Sequence, residues 1–411
     1  MLNVNFLQLC GGVMNLNYIK TPQKFVQPDL FSSENFIYAN LDAEFPLFFD
    51  TLVHWQFNEN LFYLVSKDLS HLIVSGYGVH LSKKSERLII KDNKKCIYEL
   101  PFFRLKTVAI MSKGIGISSD LIEEFSKAQI NLSFHDFSAK PHSLLQSLCF
   151  SQHADLKRRQ ILAQNSKTGI SFMAAVVCGK ISNQAAVLKY CVKNIKPDKN
   201  INIHKLQTAK EACAQMQQCY NQCLALSRNI SDIFEARQKF MGYEGTAARI
   251  YWNAISAIIS EKIEFSGRQT KPLPKDAVNT LLNYGYGILY SKIWSAAIIA
   301  GLDPYVGFLH TDQSGKPALI FDLIEEFRAP IVDRAVIAFI MLNRNIQITQ
   351  NLLDIKTREK FSEKIIEQLT SAQYYEGQKV MVSDIILSQA RKLVAFIEER
   401  QKEYSTFSFK W

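Results

Sequence analysis

The spacing of apolar residues changes once along this chain, near Ser143, and does not change back. From Leu72 to about Phe137, short β-branched and aromatic runs are separated by clusters of Gly, Ser, Asn and Lys, as in "HLIVSGYGVHLSKKSERLIIK", "CIYELPFFRLKTVAIM" and "NLSFHDF". That is the pattern of strands and turns. One helix interrupts them at "SSDLIEEFSKAQ", with Ser118 or Ser119 as N-cap and acids in its first turns. The glycines of "GIGIS" invite a phosphate-loop reading, but the GxGxxG spacing is not completed and no βαβ crossover follows. Beyond Ser143 apolar residues recur every three or four positions, from "LKRRQILAQ" through "AKEACAQMQQCYNQCLALSRNISDIFEARQKF" to "VSDIILSQARKLVAFIEERQ". The expected fold is therefore α+β and multidomain: a β-rich domain over 71–147, then a helical domain over 148–411. Residues 1–70 fit neither pattern and are expected to form an appended, partly ordered N-terminal extension.

The length of 411 residues suffices for more than one core, and 47% hydrophobic with 21% charged residues is an ordinary globular balance. Apolar runs such as "SAAIIAGL" are short and interrupted, so no membrane span is expected. The first residues lack a basic leader, and the expected location is the cytoplasm. Eight cysteines fit small buried residues in a reducing compartment. Cys213, Cys219 and Cys223 lack the CxxC spacing and nearby histidines of a zinc site. The 48 Lys and Arg against 38 Asp and Glu leave a formal charge of +10, which favours a polyanionic partner.

Three stretches carry candidate chemistry. In "GFLHTDQSGKPALIFDLIEEFR", Asp322 and Glu325 share a helix face and Glu326 lies on the neighbouring edge. Like charges on one face call for a positive partner, either Arg328 or a metal ion. A connection through Asp312, Gly315 and Pro317 could fold His310 back over the acids. One imidazole with two or three carboxylates is a hard donor set suited to Mg²⁺ or Mn²⁺. The alternative is a solvated acidic stripe with His310 as a turn residue. In "MGYEGTAARIYW", Glu244 precedes Gly245 and Thr246, where a helix should begin. Its carboxylate is either a favourable charge at that helix N-terminus or a further ligand brought in from another helix. In "FSGRQTKPLPKDAVNTLLNYGYGILY", Arg268 and Lys271 precede a helix capped near Asp276. They are phosphate clamps or solvated loop charges, and Asn279 orients a neighbour or is a satisfied core amide. Lys157, Arg158, Arg159, Lys180 and Lys189 add cations that matter only if they lie near the acidic site.

Taken in order, "MGYEGTAARIYW", the Arg268 segment, "AGLDPYVGFLH" and "IFDLIEEFRAPIVDR" resemble the CRISPR-associated protein one family, the spacer-acquisition integrases. The similarity covers roughly residues 72–411. It implies a small N-terminal β-sandwich that forms a homodimer, followed by a large all-α catalytic domain. It also implies Mg²⁺ or Mn²⁺ held by Glu244, His310 and Glu325 with Asp322 in support. Glu325 stands where other members carry aspartate. The implied partners are double-stranded DNA, as captured fragment and CRISPR repeat, and a bridging dimer of CRISPR-associated protein two. The implied reaction is attack by a fragment's 3′-hydroxyl on a repeat-edge phosphodiester, with Arg249, Arg268, Lys271 and Arg328 on the DNA. The competing readings are a stand-alone nuclease or transposon-type integrase that needs no repeats, and a catalytically silent DNA-binding scaffold.

Overall fold

The computed structural model describes residues 52–410, apart from 59–60, 67–69, 93–94, 137–138, 146–153, 194, 197–198, 270–275, 311–313, 343–345, 347 and 350–351. Contacts divide the chain into two units on either side of the Leu148–Cys149 bond.

The first unit begins earlier than the periodicity predicts. Strands β1 (Leu52–Asn58) and β2 (Leu61–Ser66) pair antiparallel with each other, and β2 pairs with β3 (His71–Ser75). The end of the expected extension, from Leu52 onward, therefore forms the edge of a sheet, while its greater part, 1–51, lies outside the described residues. The physical reason is plain at Tyr63, Leu64 and Val65, which are fully buried and need the sheet to cover them. The remaining elements are β4 (Val79–Lys84), β5 (Arg87–Asp92), β6 (Lys95–Pro101), β7 (Thr107–Ile110), β8 (Gly116–Ile117), α1 (Ser119–Lys127), β9 (Asn131–His135) and β10 (Pro141–Leu145). They form a six-stranded sheet, β1-β2-β3-β7-β9-β10, and a four-stranded sheet, β6-β5-β4-β8. Val65, Val74 and Val108 of the first sheet and Leu81, Leu88 and Ile90 of the second belong to one buried cluster, with Leu121 and Phe125 of α1. "GIGIS" is the entry to β8, and Gly114 turns it at φ 81°.

The second unit is built around α3 (Lys167–Val192), whose Ser166 side chain caps its first turn. Against it pack α2 (Ala154–Gln164), α4 (Asn200–Asn229), α5 (Ile233–Ile259) and α7 (Ala318–Phe327), and α6 (Ala277–Ile299) packs on α7. A π-helical turn, Arg328–Asp333, links α7 to α8 (Arg334–Leu342). By length and composition alone α3 could cross a bilayer, but 72% of its apolar window is buried in the protein. It is the central core helix. The unit is also not all-α. Short strands β11 (Ile348–Thr349) and β12 (Leu352–Leu353) precede α9 (Ile355–Thr370). A hairpin of β13 (Ala372–Tyr375) and β14 (Gln378–Met381) then leads into α10 (Val382–Ile397). Glu376 and Gly377 at its tip both have positive φ, the two-residue turn that matches strand twist.

The last residues strap back onto α7. Glu326 accepts from the Tyr404 hydroxyl at 2.5 Å and from the Phe407 amide at 2.8 Å, and Phe407 stacks on Phe327. Asn183 of α3 donates to the Glu326 and Phe407 carbonyls and accepts from the Phe409 amide. Asn183→Ala strips three hydrogen bonds from a buried junction, so it should lower unfolding free energy by about 2–4 kcal/mol in a urea titration.

Candidate active site

The site grows from the buried face of α7. Asp322, fully buried, gathers the preceding loop: one oxygen accepts from the Phe308 amide at 2.6 Å and the Leu309 amide at 3.1 Å. The other accepts from the His310 amide at 3.0 Å and lies 2.7 Å from His310 Nδ1. The loop is held elsewhere by Gln160, Gln164 and Arg237, which donate to the carbonyls of Asp303 and Val306, of Gly307, and of Phe308 respectively. Gly307 permits the close approach, since a Cβ there would sit 2.5 Å from that of Ala318. The carboxylate requires the proton on Nδ1, which leaves Nε2 as the ring nitrogen able to ligate or accept. Burial opposes a charge on His310, but Asp322's hydrogen bond and charge, aided by Glu325 and Glu244, outweigh it and raise its pKa.

One turn further on, Glu325 is 3% exposed. Its Oε1 lies 3.1 Å from Arg328 Nη1 and its Oε2 lies 2.6 Å from Lys180 Nζ, an ion-pair contact without hydrogen-bond alignment. Lys180 comes from the middle of α3 and also hydrogen-bonds Glu244. Burial would push the Glu325 pKa up, but Arg328 and Lys180 reverse this and hold it at about 2.

Glu244 reaches this place from the interior of α5, not from a helix N-terminus. The helix starts at the Asp232 cap, not at Gly245 and Thr246 as expected, and Gly242 and Gly245 sit on its exposed face. There each glycine costs about 1 kcal/mol, less than the burial of Phe240, Ala247 and Tyr251 on the opposite face returns. Glu326, expected beside Glu325, faces the C-terminal strap instead.

Glu244, Glu325 and Lys180 line a cavity of about 450 Å³ together with Arg249, Arg268 and Arg328. Arg268 is no solvated loop charge: it donates to the side-chain oxygens of Asn279 at 2.9 Å and Asn283 at 2.7 Å. Asn279, next to the Asp276 cap, thus orients it. The guanidiniums of Arg268 and Arg328 lie 5.4 and 5.0 Å from the ring centre of Tyr286, whose hydroxyl donates to Asp333 at 2.5 Å. Arg249 is exposed on α5 and Lys271 lies outside the described residues. His310 and Asp322 do not line the cavity. Among the described residues, no three His, Cys, Asp or Glu side chains are gathered closely enough to hold a metal ion, and Lys180 contacts both glutamates. Sequence reasoning noted Lys180 only as a helix cation. Its signal was a lysine inside the core-grade run "FMAAVVCGKISNQAAVL".

Comparison with known proteins converges on one family. The sequence profile of the family described as CRISPR associated protein Cas1 matches residues 72–375. A CRISPR-associated endonuclease Cas1 of Archaeoglobus fulgidus is 32% identical over 356 residues, 83% of this chain and 99% of that protein. One from Francisella tularensis subsp. novicida is 33% identical over 347 residues, 84% of this chain and all of the relative. In fold, the chain is similar to a casposase bound to integration product, with a TM-score of 0.67 and 22% identity over 83% of this chain and 94% of that one. It is also similar to a Cas1 protein from Thermotoga maritima, with a TM-score of 0.62 and 17% identity over 83% of this chain and 99% of the other.

The Asp322–His310 contact makes a direct prediction. In chelator, the His310 ring followed by NMR should titrate above the usual histidine range, and Asp322→Asn should move the midpoint down, since burial remains while the balancing charge is gone.

Proposed function

The chain belongs to the CRISPR associated protein Cas1 family, and from that premise we propose that it is a divalent-metal-dependent DNA integrase and endonuclease that inserts captured fragments into a CRISPR repeat array. The observation that carries this reading is the convergence of Glu244 and Glu325, from separate helices, on one positive charge beside a cavity walled by three guanidiniums. The donor types fit a hard cation: two carboxylates, and an imidazole whose Nε2 is left available by Asp322. The ammonium between the carboxylates marks where positive charge is drawn.

In this reading Glu244, Glu325 and His310 hold Mg²⁺ or Mn²⁺, and Asp322 orients the imidazole. When bound, the ion would polarise the scissile phosphate and stabilise the leaving oxygen. Arg268 and Arg328, both held against Tyr286, and Arg249 bind DNA phosphates, as does Lys271 on its loop. A fragment's 3′-hydroxyl attacks phosphorus at the repeat edge, the old P–O bond breaks, and the displaced 3′-oxygen takes up a proton. One phosphodiester replaces another, so no nucleotide triphosphate is consumed. With water as the attacking group, the same site is an endonuclease. Residues around the phosphate act by position and charge, since little covalent chemistry falls to the protein.

The partners in this reading are double-stranded DNA, a second copy of the chain and a bridging dimer of CRISPR-associated protein two. The fold likeness to a Cas6-RT-Cas1–Cas2 complex, with a TM-score of 0.65 and 19% identity over 83% of this chain and 36% of that one, supports the last. A second reading, a transposon-type integrase acting without repeats, is favoured by the likeness to a casposase.

A strand-transfer assay on repeat-bearing plasmid tests the proposal: insertion at a repeat boundary is expected, and insertion indifferent to the repeat would favour the second reading. Glu244→Gln, His310→Ala and Glu325→Gln should each lower transfer by about 100-fold or more. Undiminished transfer in all three variants would place the chemistry elsewhere. Binding to DNA fragments should fall steeply with salt, and Arg249→Ala should reduce the log–log salt slope by about 1 without changing sequence preference.

A further inference from the structure

Lys180 is a cation in contact with both glutamates that the proposed chemistry does not use. It is 8% exposed on the core helix α3, where an ammonium loses its hydration and must be met by opposite charge. It is met twice, by Glu325 at 2.6 Å and by a shorter hydrogen bond to Glu244. Arg328 takes the other oxygen of Glu325. Two carboxylates therefore face two cations, and the cluster is electrically complete without any ion. A divalent cation added to it would leave two surplus positive charges, and its repulsion of a neighbouring ammonium is twice that between two unit charges. Sharing the carboxylates with the ammonium therefore weakens the hold on both cations. Lys180 can leave: its charge rides on a flexible four-carbon stem, and it already lines the cavity of about 450 Å³.

We propose that Lys180 is the built-in counter-cation of this site: it bridges Glu244 and Glu325 while no divalent ion is bound, and gives them up when one enters. This rests on the reading of Glu244 and Glu325 as the ion's carboxylates. Two consequences follow from the charges. The protein free of divalent ions keeps α3, α5 and α7 tied together, so the site stays assembled. Ion affinity is diluted by the fraction of molecules in which Lys180 has swung away. Once out, the ammonium joins Arg268 and Arg328 on the cavity wall, and the surplus positive charge is neutralised by DNA phosphates. Divalent ion and DNA should therefore bind with positive coupling.

The test uses the full chain, with Mn²⁺ as probe, read by electron paramagnetic resonance of free Mn²⁺ and by thermal melting with and without the ion. Lys180→Met keeps the apolar stem and removes the charge; Lys180→Gln keeps a polar tip. Both variants should melt below wild type in chelator, regain more on adding Mn²⁺, and bind Mn²⁺ about tenfold more tightly. A short phosphate-bearing oligonucleotide should tighten Mn²⁺ binding to wild type more than to either variant. Unchanged or weaker Mn²⁺ binding by both variants, with circular dichroism matching wild type, overturns the proposal. Glu244→Gln and Glu325→Gln separate the two layers. If they weaken Mn²⁺ binding while the Lys180 variants do not strengthen it, the metal site stands and the counter-cation role falls. If they leave Mn²⁺ binding unchanged, the metal-site reading falls and takes this proposal with it.

Discussion

A carboxylate taken out of water must find donors or cations, and α7 carries three of them within five residues: Asp322, Glu325 and Glu326. Each recruits a different part of the second unit. Asp322 draws in the loop that ends at His310; Glu325 draws in α3 through Lys180 and the π-helical turn through Arg328; Glu326 draws in the C-terminal strap. The helix is thus less a member of the core than the post to which the surroundings are tied. Burial pushes the Glu326 pKa up to about 7 despite Tyr404 and the Phe407 amide, whereas Arg328 and Lys180 hold Glu325 at about 2. Neighbouring acids on one helix are driven apart in proton affinity by what each face meets, neutral donors on one side and cations on the other.

The basic wall of the cavity is organised with similar economy. Tyr286 lies against both Arg268 and Arg328, and its hydroxyl is fixed by Asp333. The two guanidiniums repel one another; contact with the Tyr286 ring offsets part of that repulsion, and Glu325 answers the charge of Arg328. Burial lowers the Arg268 pKa from its ordinary value. Asn279 and Asn283 supply neutral acceptors that fix its direction, leaving its charge to be answered from outside.

Much of this was legible in the residues. The single change of periodicity near Ser143 marked the passage from strands to helices, because packing against one face imposes period two on a strand and about 3.6 on a helix. The Asp276 cap, the return of His310 to the acidic face and the orienting role open to Asn279 followed from local chemistry. What escaped was of two kinds. Local signals misled where tertiary packing overruled them: Gly245 and Thr246 look like a helix start but lie inside α5, and β1 and β2 sit in a stretch whose mixed composition hides their pairing. Other features had no local signal of their role. Lys180 meets Glu244 across 64 positions and Asn183 meets Phe409 across 226, so only the folded chain reveals what they are for.

The π-helical turn at Arg328–Asp333 bears on how the chain can vary. At 3.6 residues per turn, positions five apart diverge by about 140° around the axis, so a regular helix would aim Arg328 and Asp333 in different directions. Bonding to the fifth residue stacks one nearly above the other, and both reach the same cavity wall. Losing a single residue there would rotate everything beyond it, severing the hydroxyl anchor of Tyr286 while leaving the acids of α7 untouched. In this segment the number of residues matters as much as which residues they are.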